Sequence, residues 1–265
     1  MFGFCPLASG SKGNCIYVGS ETTRVLIDAG ISLSALLEKL SAIQVDPQTI
    51  QAILITHEHS DHIKGLLQIA EKLKVPVLAN GETAKGIVSA LGARPKFKIF
   101  TTGESFLFGD LSVHPFSVPH DTLDPVAFTF QIGKIKLGIC ADLGHVTSLV
   151  RKNLEHCDYL YIEANHQPSM VHASARPPIL KQRILGRQGH LSNEDCANLI
   201  TSIFHPKLKH IHLAHLSGEC NAPEVALKVV SEVLAAKNLS VELAIAYQDQ
   251  ISKPVFFNQP AGAAQ

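Results

Sequence analysis

The chain has 265 residues, 46% of them hydrophobic, enough to bury a sizeable core in one large domain or two. Lys+Arg and Asp+Glu both number 23, so no bulk charge draws in a polyanion, and affinity for nucleic acid must come from a local patch. The N-terminus has no basic leader, no apolar run is long enough for a bilayer, and the six cysteines form no Cys-x-x-Cys pair. A cytoplasmic protein with reduced, packed thiols and no membrane contact is expected.

Met1 to Ala8 reads as a first strand. The turn Ser9–Gly10–Ser11–Lys12–Gly13–Asn14 follows. Its glycines permit unusual backbone angles, and Ser9, Ser11 and Asn14 could cradle a substrate phosphate; an ordinary hairpin turn is the alternative. Strands Cys15 to Val18 and Arg24 to Ile27 end at Asp28, expected to hydrogen-bond a metal-ligating histidine or its turn. Leu33 to Ile43 is an amphipathic helix. Ala52 to Ile55 is a short buried strand, and Ile63 to Leu73 has helical spacing. Between them stands Thr56–His57–Glu58–His59–Ser60–Asp61–His62, three imidazoles and a carboxylate on a strand-to-helix turn. His57 and His59 point the same way in extended backbone, and Asp61 and His62 can aim at a second position beside them.

Val75 to Ala79 reads as a strand and Glu82 to Leu91 as a helix ended by Gly92. Phe97 to Phe100, Ser105 to Phe108, Leu111 to Val118, Val126 to Ile132 and Ile135 to Cys140 read as successive strands. Alternating strands and helices predict an α/β layered fold, loosely duplicated, with each half giving a run of strands and then strand–helix pairs. Residues 1–258 read as a single domain and the tail, Gln259 to Gln265, as frayed. Four apolar strands deliver a metal-competent or acid–base residue at their ends: His120 after Pro119, Asp142, Glu163 and His215. Strand ends are where layered α/β folds build sites.

These residues predict a centre for two divalent ions, with Zn²⁺ favoured and Mn²⁺ or Fe²⁺ as alternatives. His57, His59 and His120 hold the first ion, Asp61, His62 and His215 the second, and Asp142 bridges both. The ions would stand about 3.5–4 Å apart and share a hydroxide nucleophile formed at neutral pH.

The His turn, His120, Asp142 and His215, in that order after Asp28, resemble the metallo-β-lactamase-fold hydrolases. That resemblance implies a four-layer αββα sandwich. True β-lactamases lack the bridging Asp and are exported, which argues against that activity. Leu7 to Asn14, Ala141–Asp142–Leu143–Gly144, Glu163–Ala164–Asn165–His166, Gly189–His190–Leu191–Ser192–Asn193 and Ala214–His215–Leu216–Ser217 are similar to the YycJ/VicX-type hydrolases, related to ribonuclease Z and the β-CASP nucleases. The resemblance implies a di-metal phosphodiesterase acting on nucleic acid, of exonuclease type on DNA, and a genetic association with a two-component signalling system.

His190 precedes Ser192–Asn193–Glu194–Asp195, which resembles a capping box opening a helix to Phe204. It either packs at that helix start or acts as a general acid that protonates the leaving oxygen or as a hydrogen-bond donor to the scissile phosphate, oriented by Glu163 as an acidic residue does in the related nucleases. Asp61, His190 and Glu163 are the residues expected to take part in catalysis. Ala175 to Gln188 carries Arg176, Lys181, Arg183 and Arg187 and no acid: a solvated helix face, or a set of backbone-phosphate contacts led by Arg183 and Arg187. The remaining histidines read as structural or surface residues, with His145 and His166 the two to check. A small-molecule or cyclic-phosphate phosphodiesterase, a thioester hydrolase and a non-catalytic regulatory protein are the competing readings.

Overall fold

The computed structural model describes residues 1–257; the tail expected to fray lies outside the described residues. The first half runs β1 (Gly3–Ala8), β2 (Cys15–Gly19), β3 (Arg24–Ile27), α1 (Leu33–Ala42), β4 (Ala52–Leu54), α2 (Ser60–Ile63), α3 (Leu66–Leu73), β5 (Val77–Ala79), α4 (Gly81–Leu91) and β6 (Phe97–Ile99). The second runs β7 (Phe106–Phe108), β8 (Leu111–Ser117), β9 (Val126–Ile132), β10 (Ile135–Cys140), α5 (Ser148–Leu154), β11 (Tyr159–Glu163), α6 (Pro168–Ala173), α7 (Pro178–Leu185), α8 (Asn193–Ile203), β12 (His210–Ala214), α9 (Pro223–Ala236), β13 (Glu242–Ile245) and β14 (Val255–Phe256).

Two seven-stranded sheets form, in the orders β14-β1-β2-β3-β4-β5-β6 and β13-β12-β11-β10-β9-β8-β7. In each, an antiparallel meander gives way to parallel strands: β1 to β3 and then β4 to β6, β7 to β10 and then β11 to β13. Parallel neighbours cannot be joined by a tight turn, so helices carry the crossovers. This is the loose duplication legible in the sequence.

Alternation along each strand assigns its two faces. Val25 and Ile27 on β3 meet Phe128, Phe130 and Leu137 of the other sheet in the central layer, while Leu26 faces Leu36 and Leu40 of α1. On β11, Tyr159 and Tyr161 turn to the centre, and Leu160 and Ile162 pack on Val150, Ile200 and Val230 of the outer helices. The inner strands β1, β2, β4, β5 and β11 are buried at every position and nearly all apolar, which is why they read as continuous runs, whereas the edge strands β6 and β7 are partly exposed. The result is an α/β four-layer αββα sandwich. Among the described residues no helix is long and apolar enough to cross a membrane.

The helix expected over Ile63 to Leu73 is two helices broken at Lys64–Gly65. Gly65 N–H bonds Ala29 O (2.9 Å), and a Cβ at Gly65 would fall 1.9 Å from Ile31 O. The break lets the end of β3 lie against the histidine turn. Gly30 serves the same approach, since a Cβ there would stand 1.6 Å from Asp61 O.

Candidate metal centre

Three strand ends carry the site, and each does so in a left-handed backbone conformation rare outside glycine. Asp28 (φ 62°), Asp142 (φ 55°) and His215 (φ 53°) follow β3, β10 and β12. Each such residue costs about 1–3 kcal/mol and persists only where its surroundings hold it. Here Asp28 N–H bonds Leu54 O (2.8 Å), and His215 N–H bonds Ser9 Oγ (2.8 Å). Asn165 Nδ2 donates to His215 O (2.7 Å), and Leu143 N–H, next to Asp142, donates to Glu163 Oε2 (2.6 Å). The sharp turns aim the three side chains at the His57–His62 turn.

Two triads result. His57, His59 and His120 present ring nitrogens to one point, with His59 Nδ1 standing 3.2 Å from His57 Nε2 and 3.3 Å from His120 Nε2. Asp61, His62 and His215 form the second group. Asp142 lies between them: its oxygens are 3.2 Å from His62 Nε2, 3.3 Å from His215 Nδ1 and 3.7 Å from His120 Nε2. Two buried atoms able to ligate a metal, Asp142 Oδ2 and His215 Nε2, lack a well-formed hydrogen bond. Buried polar atoms almost always have one. Imidazoles, carboxylates and orphaned lone pairs facing a common centre fit divalent ions.

The electrostatics point the same way. Burial disfavours charge on His62, but Asp28 and Asp142 flank it and hold its pKa well above the ordinary value. Burial likewise works against His215, yet Asp142, Asp61 and Glu163 lift it to about 10. Burial and the charge on His62 keep His57 far below its ordinary value. The burial of Asp142 would raise its carboxyl; His215 and His62 overcome this and hold it well below the carboxylate range. Metal binding at such imidazoles competes with protons.

Asp28 Oδ2 accepts from His62 Nδ1 (2.7 Å), and Oδ1 accepts from Thr56 N–H (2.9 Å). Asp28→Asn tolerates the left-handed backbone but drops the charge. It should weaken one of the two ions by about 10–100-fold, the usual cost of losing an outer carboxylate. A zinc titration against a chelator checks this, and unchanged affinity would remove the role.

Glu163, fully buried, takes four donors: His190 Nδ1 (2.8 Å), His215 Nδ1 (3.1 Å), Leu143 N–H (2.6 Å) and Leu191 N–H (3.2 Å). His190 therefore stands with one nitrogen tied to Glu163 and its ring on the wall of a cavity of about 360 Å³ over the triads. Ser11, Asp61, Arg176, Leu180 and Arg183 also line this cavity.

The three residues expected to cradle a phosphate are placed differently. Ser9 is buried, and its hydroxyl holds His215 N–H and pairs with Tyr161 Oη (2.7 Å) beneath the site. Asn14 is buried too, with Oδ1 on Gly10 N–H (2.8 Å) and Nδ2 on Asp61 Oδ2 (3.2 Å). Both hydrogen-bond inward and brace the ligands; of the three, Ser11 alone lines the cavity. The basic run is not a freely solvated face either. Arg183 Nε pairs with Asp121 Oδ2 (2.6 Å) and Arg176 Nε with Glu219 Oε2 (2.9 Å) as α7 caps the cavity. Arg187 leaves that cavity for a neighbouring groove of about 560 Å³, where its Nη2 stands 3.0 Å from His145 Nε2. His166 is buried beside the start of α8 and outside both triads. Two further residues that the motifs do not mark stand at the site: Thr56, whose hydroxyl donates to Asp28 and accepts from His57 Nδ1 (3.0 Å), and Asp121. A hydroxyl just ahead of the His turn and an acid just after His120 were the available signals.

A family model described as Beta-lactamase superfamily domain matches residues 23–213. The chain is 37% identical to the exodeoxyribonuclease YycJ of Bacillus anthracis, over 93% of this chain and 94% of that one. It is 36% identical to the exodeoxyribonuclease WalJ of Streptococcus pneumoniae serotype 2, over 91% of each. The solved metallo-beta-lactamase fold protein YhfI from Bacillus subtilis shares the fold, with a TM-score of 0.70 over 94% of this chain and 97% of that one, at 17% identity. Strand ends, ligand order and identity above one third along nearly the whole chain converge on one placement: the chain belongs to the metallo-β-lactamase-fold hydrolases, in the branch of YycJ and WalJ.

Proposed function

We propose that this protein is a di-metal phosphodiesterase that removes nucleotides from the ends of DNA. The observation that carries the reading is the pair of ligand triads sharing Asp142 under a cavity walled by arginines. The likeness to two bacterial exodeoxyribonucleases supports DNA as substrate. Two divalent ions, zinc first and manganese or iron as alternatives, would supply a nucleophilic water at neutral pH and a positive field for the phosphate.

The chain's own groups do the rest. Asp142 and Asp61 set the charge of the centre. His190 stands with Nδ1–H tied to Glu163, which leaves Nε2 to protonate the leaving oxygen or to bond a phosphate oxygen. Arg183 in the cavity and Arg187 in the groove beside it would take backbone phosphates, Arg183 by giving up Asp121. The six cysteines, all free and buried, suit a reducing cytoplasm.

Incubation with 5′-labelled single- and double-stranded DNA and RNA, with Mn²⁺ or Zn²⁺ in turn, tests the reading. Progressive shortening of DNA that stops with chelator supports it. Intact nucleic acid under every condition overturns it. A small or cyclic phosphodiester is the second reading, favoured by the confined cavity, and a cyclic dinucleotide belongs in the same assay.

Binding should also be salt-dependent. DNA affinity should fall steeply between low and moderate salt, and Arg187→Gln should lower the slope of log affinity against log salt by about one. A flat salt dependence would take Arg187 off the substrate path.

A further inference from the structure

Four of the five histidines in the two triads turn one nitrogen to the centre and bond a fixing partner with the other. His57 Nδ1 donates to Thr56 Oγ1 (3.0 Å), His62 Nδ1 to Asp28 (2.7 Å), His120 Nδ1 to Gly189 O (3.1 Å) and His215 Nδ1 to Glu163 (3.1 Å). These four rings are buried, and so are three of their four bonds, the His57–Thr56 bond being partly buried. His59 is the exception. Its side chain is 31% exposed, Nδ1 faces the first triad, and Nε2 looks out at Asp121 Oδ1 across 3.7 Å. The other oxygen of Asp121 is taken by Arg183 Nε at 2.6 Å. Arg183 stands on α7 and lines both the cavity over the centre and the adjoining groove.

We propose that Asp121 is the positioning residue of His59 and that Arg183 competes for its carboxylate, so that capture of an anion by Arg183 and retention of the first ion are coupled. The inference rests on the two-ion reading of the site and adds a component to it. With Arg183 on Asp121, the carboxylate is shared and too far from His59 for a full hydrogen bond. An anion that draws Arg183 away leaves Asp121 to His59 alone. The His59–Asp121 bond then shortens, fixes the ring and makes Nδ1 a better ligand. His57, His62 and His215 cannot respond in this way, because their partners are a hydroxyl or carboxylates buried with the rings; His120, whose Nε2 lies 3.5 Å from the same Asp121 oxygen, keeps its outer nitrogen on Gly189 O. The first ion is thus the one whose binding can depend on what occupies the cavity, and by reciprocity its presence favours anion capture.

The test is a zinc titration of metal-free protein against a competing chelator, with Co²⁺ absorption as a second readout of ligand geometry and no nucleic acid present. Variants are Asp121→Ala, Asp121→Asn and Arg183→Gln, all at partly exposed positions where the fold should survive, checked by circular dichroism. Asp121→Ala should weaken one of two equivalents by about 10–100-fold and alter the Co²⁺ bands. Asp121→Asn, which keeps an acceptor, should lose less. Arg183→Gln, which mimics an arginine drawn away, should hold zinc as tightly as the parent or tighter. The relay is overturned if Asp121→Ala binds both equivalents as the parent does, or loses one outright, which would make Asp121 a ligand. It is equally overturned if Arg183→Gln weakens zinc as much as Asp121→Ala, which would make the pair a brace. Parent protein that binds no metal would instead remove the two-ion reading itself.

Discussion

Asp142→Asn will abolish catalysis, with kcat lower by about 10³-fold or more, the scale on which removal of one preorganised electrostatic element is felt. Among the described residues Asp142 is the carboxylate placed against both triads, within 3.7 Å of His120 and 3.3 Å or less of His62 and His215. The amide has no charge to hold two cations together, and its NH₂ turns donors toward them. Asparagine accepts the left-handed backbone at this strand end as aspartate does, so the loss is not a folding defect. Metal analysis should find at most one ion per chain, with an unchanged circular dichroism spectrum. An Asn variant with two ions and parental kcat would refute the shared centre.

The second large effect is structural. Glu163→Ala removes a fully buried carboxylate and strands four donors, two imidazoles and the backbone N–H groups of Leu143 and Leu191. Each buried unsatisfied group costs about 1–3 kcal/mol, and breaking a buried charge pair about 3–5 kcal/mol. For a chain of this size the midpoint of thermal unfolding should fall by about 10 °C or more. Burial would raise the Glu163 carboxyl, but His190 and His215 hold it down at about 2 against an ordinary 4.5. A depressed carboxyl stabilises fully above its unfolded pKa and progressively less as pH falls through its folded one. The stability gap between parent and Glu163→Ala should therefore be widest above about pH 4.5 and narrow towards pH 2. Denaturant unfolding at a series of pH values checks this, and a gap that widens on acidification would show the carboxyl is not held ionised. Glu163→Gln keeps an acceptor for one imidazole and should fall between the two in stability. It should still slow turnover, because His190 loses its charged partner.

What could be read early was local or periodic. Three imidazoles and an acid within the span His57–His62, straight after an apolar strand, declare their chemistry through spacing alone. Apolar runs ending in Asp28, Asp142 and His215 declare strand ends through composition. Neither periodicity nor motif foretold α9, an amphipathic helix opened by Pro223, because no chemistry-bearing residue drew attention to it. The helix expected over Ile63 to Leu73 breaks at Gly65 for a reason no local rule contains: Ile31 O, more than thirty residues upstream, occupies the space of a Cβ.

Side-chain partnerships were the least legible part. Ser9 looked like a phosphate cradle because glycine-rich turns with hydroxyls often are; the folded chain spends that hydroxyl on His215, some two hundred residues away. The cations of the run 175–188 looked free because no acid is near them in sequence, yet Asp121 and Glu219 reach them in space. The existence of the strands from β1 to β12, the layered class and the residue types able to hold metal followed from the sequence by itself, since backbone periodicity and ligand chemistry act over a few residues; β13, β14 and the order of strands within each sheet did not. Only the closing of one sheet over the other decided which of those side chains face the centre, which are buried as braces, and that Asp121 stands between His59 and Arg183. Those outcomes depend on distances between residues far apart in the chain, and the packing of the layers sets them.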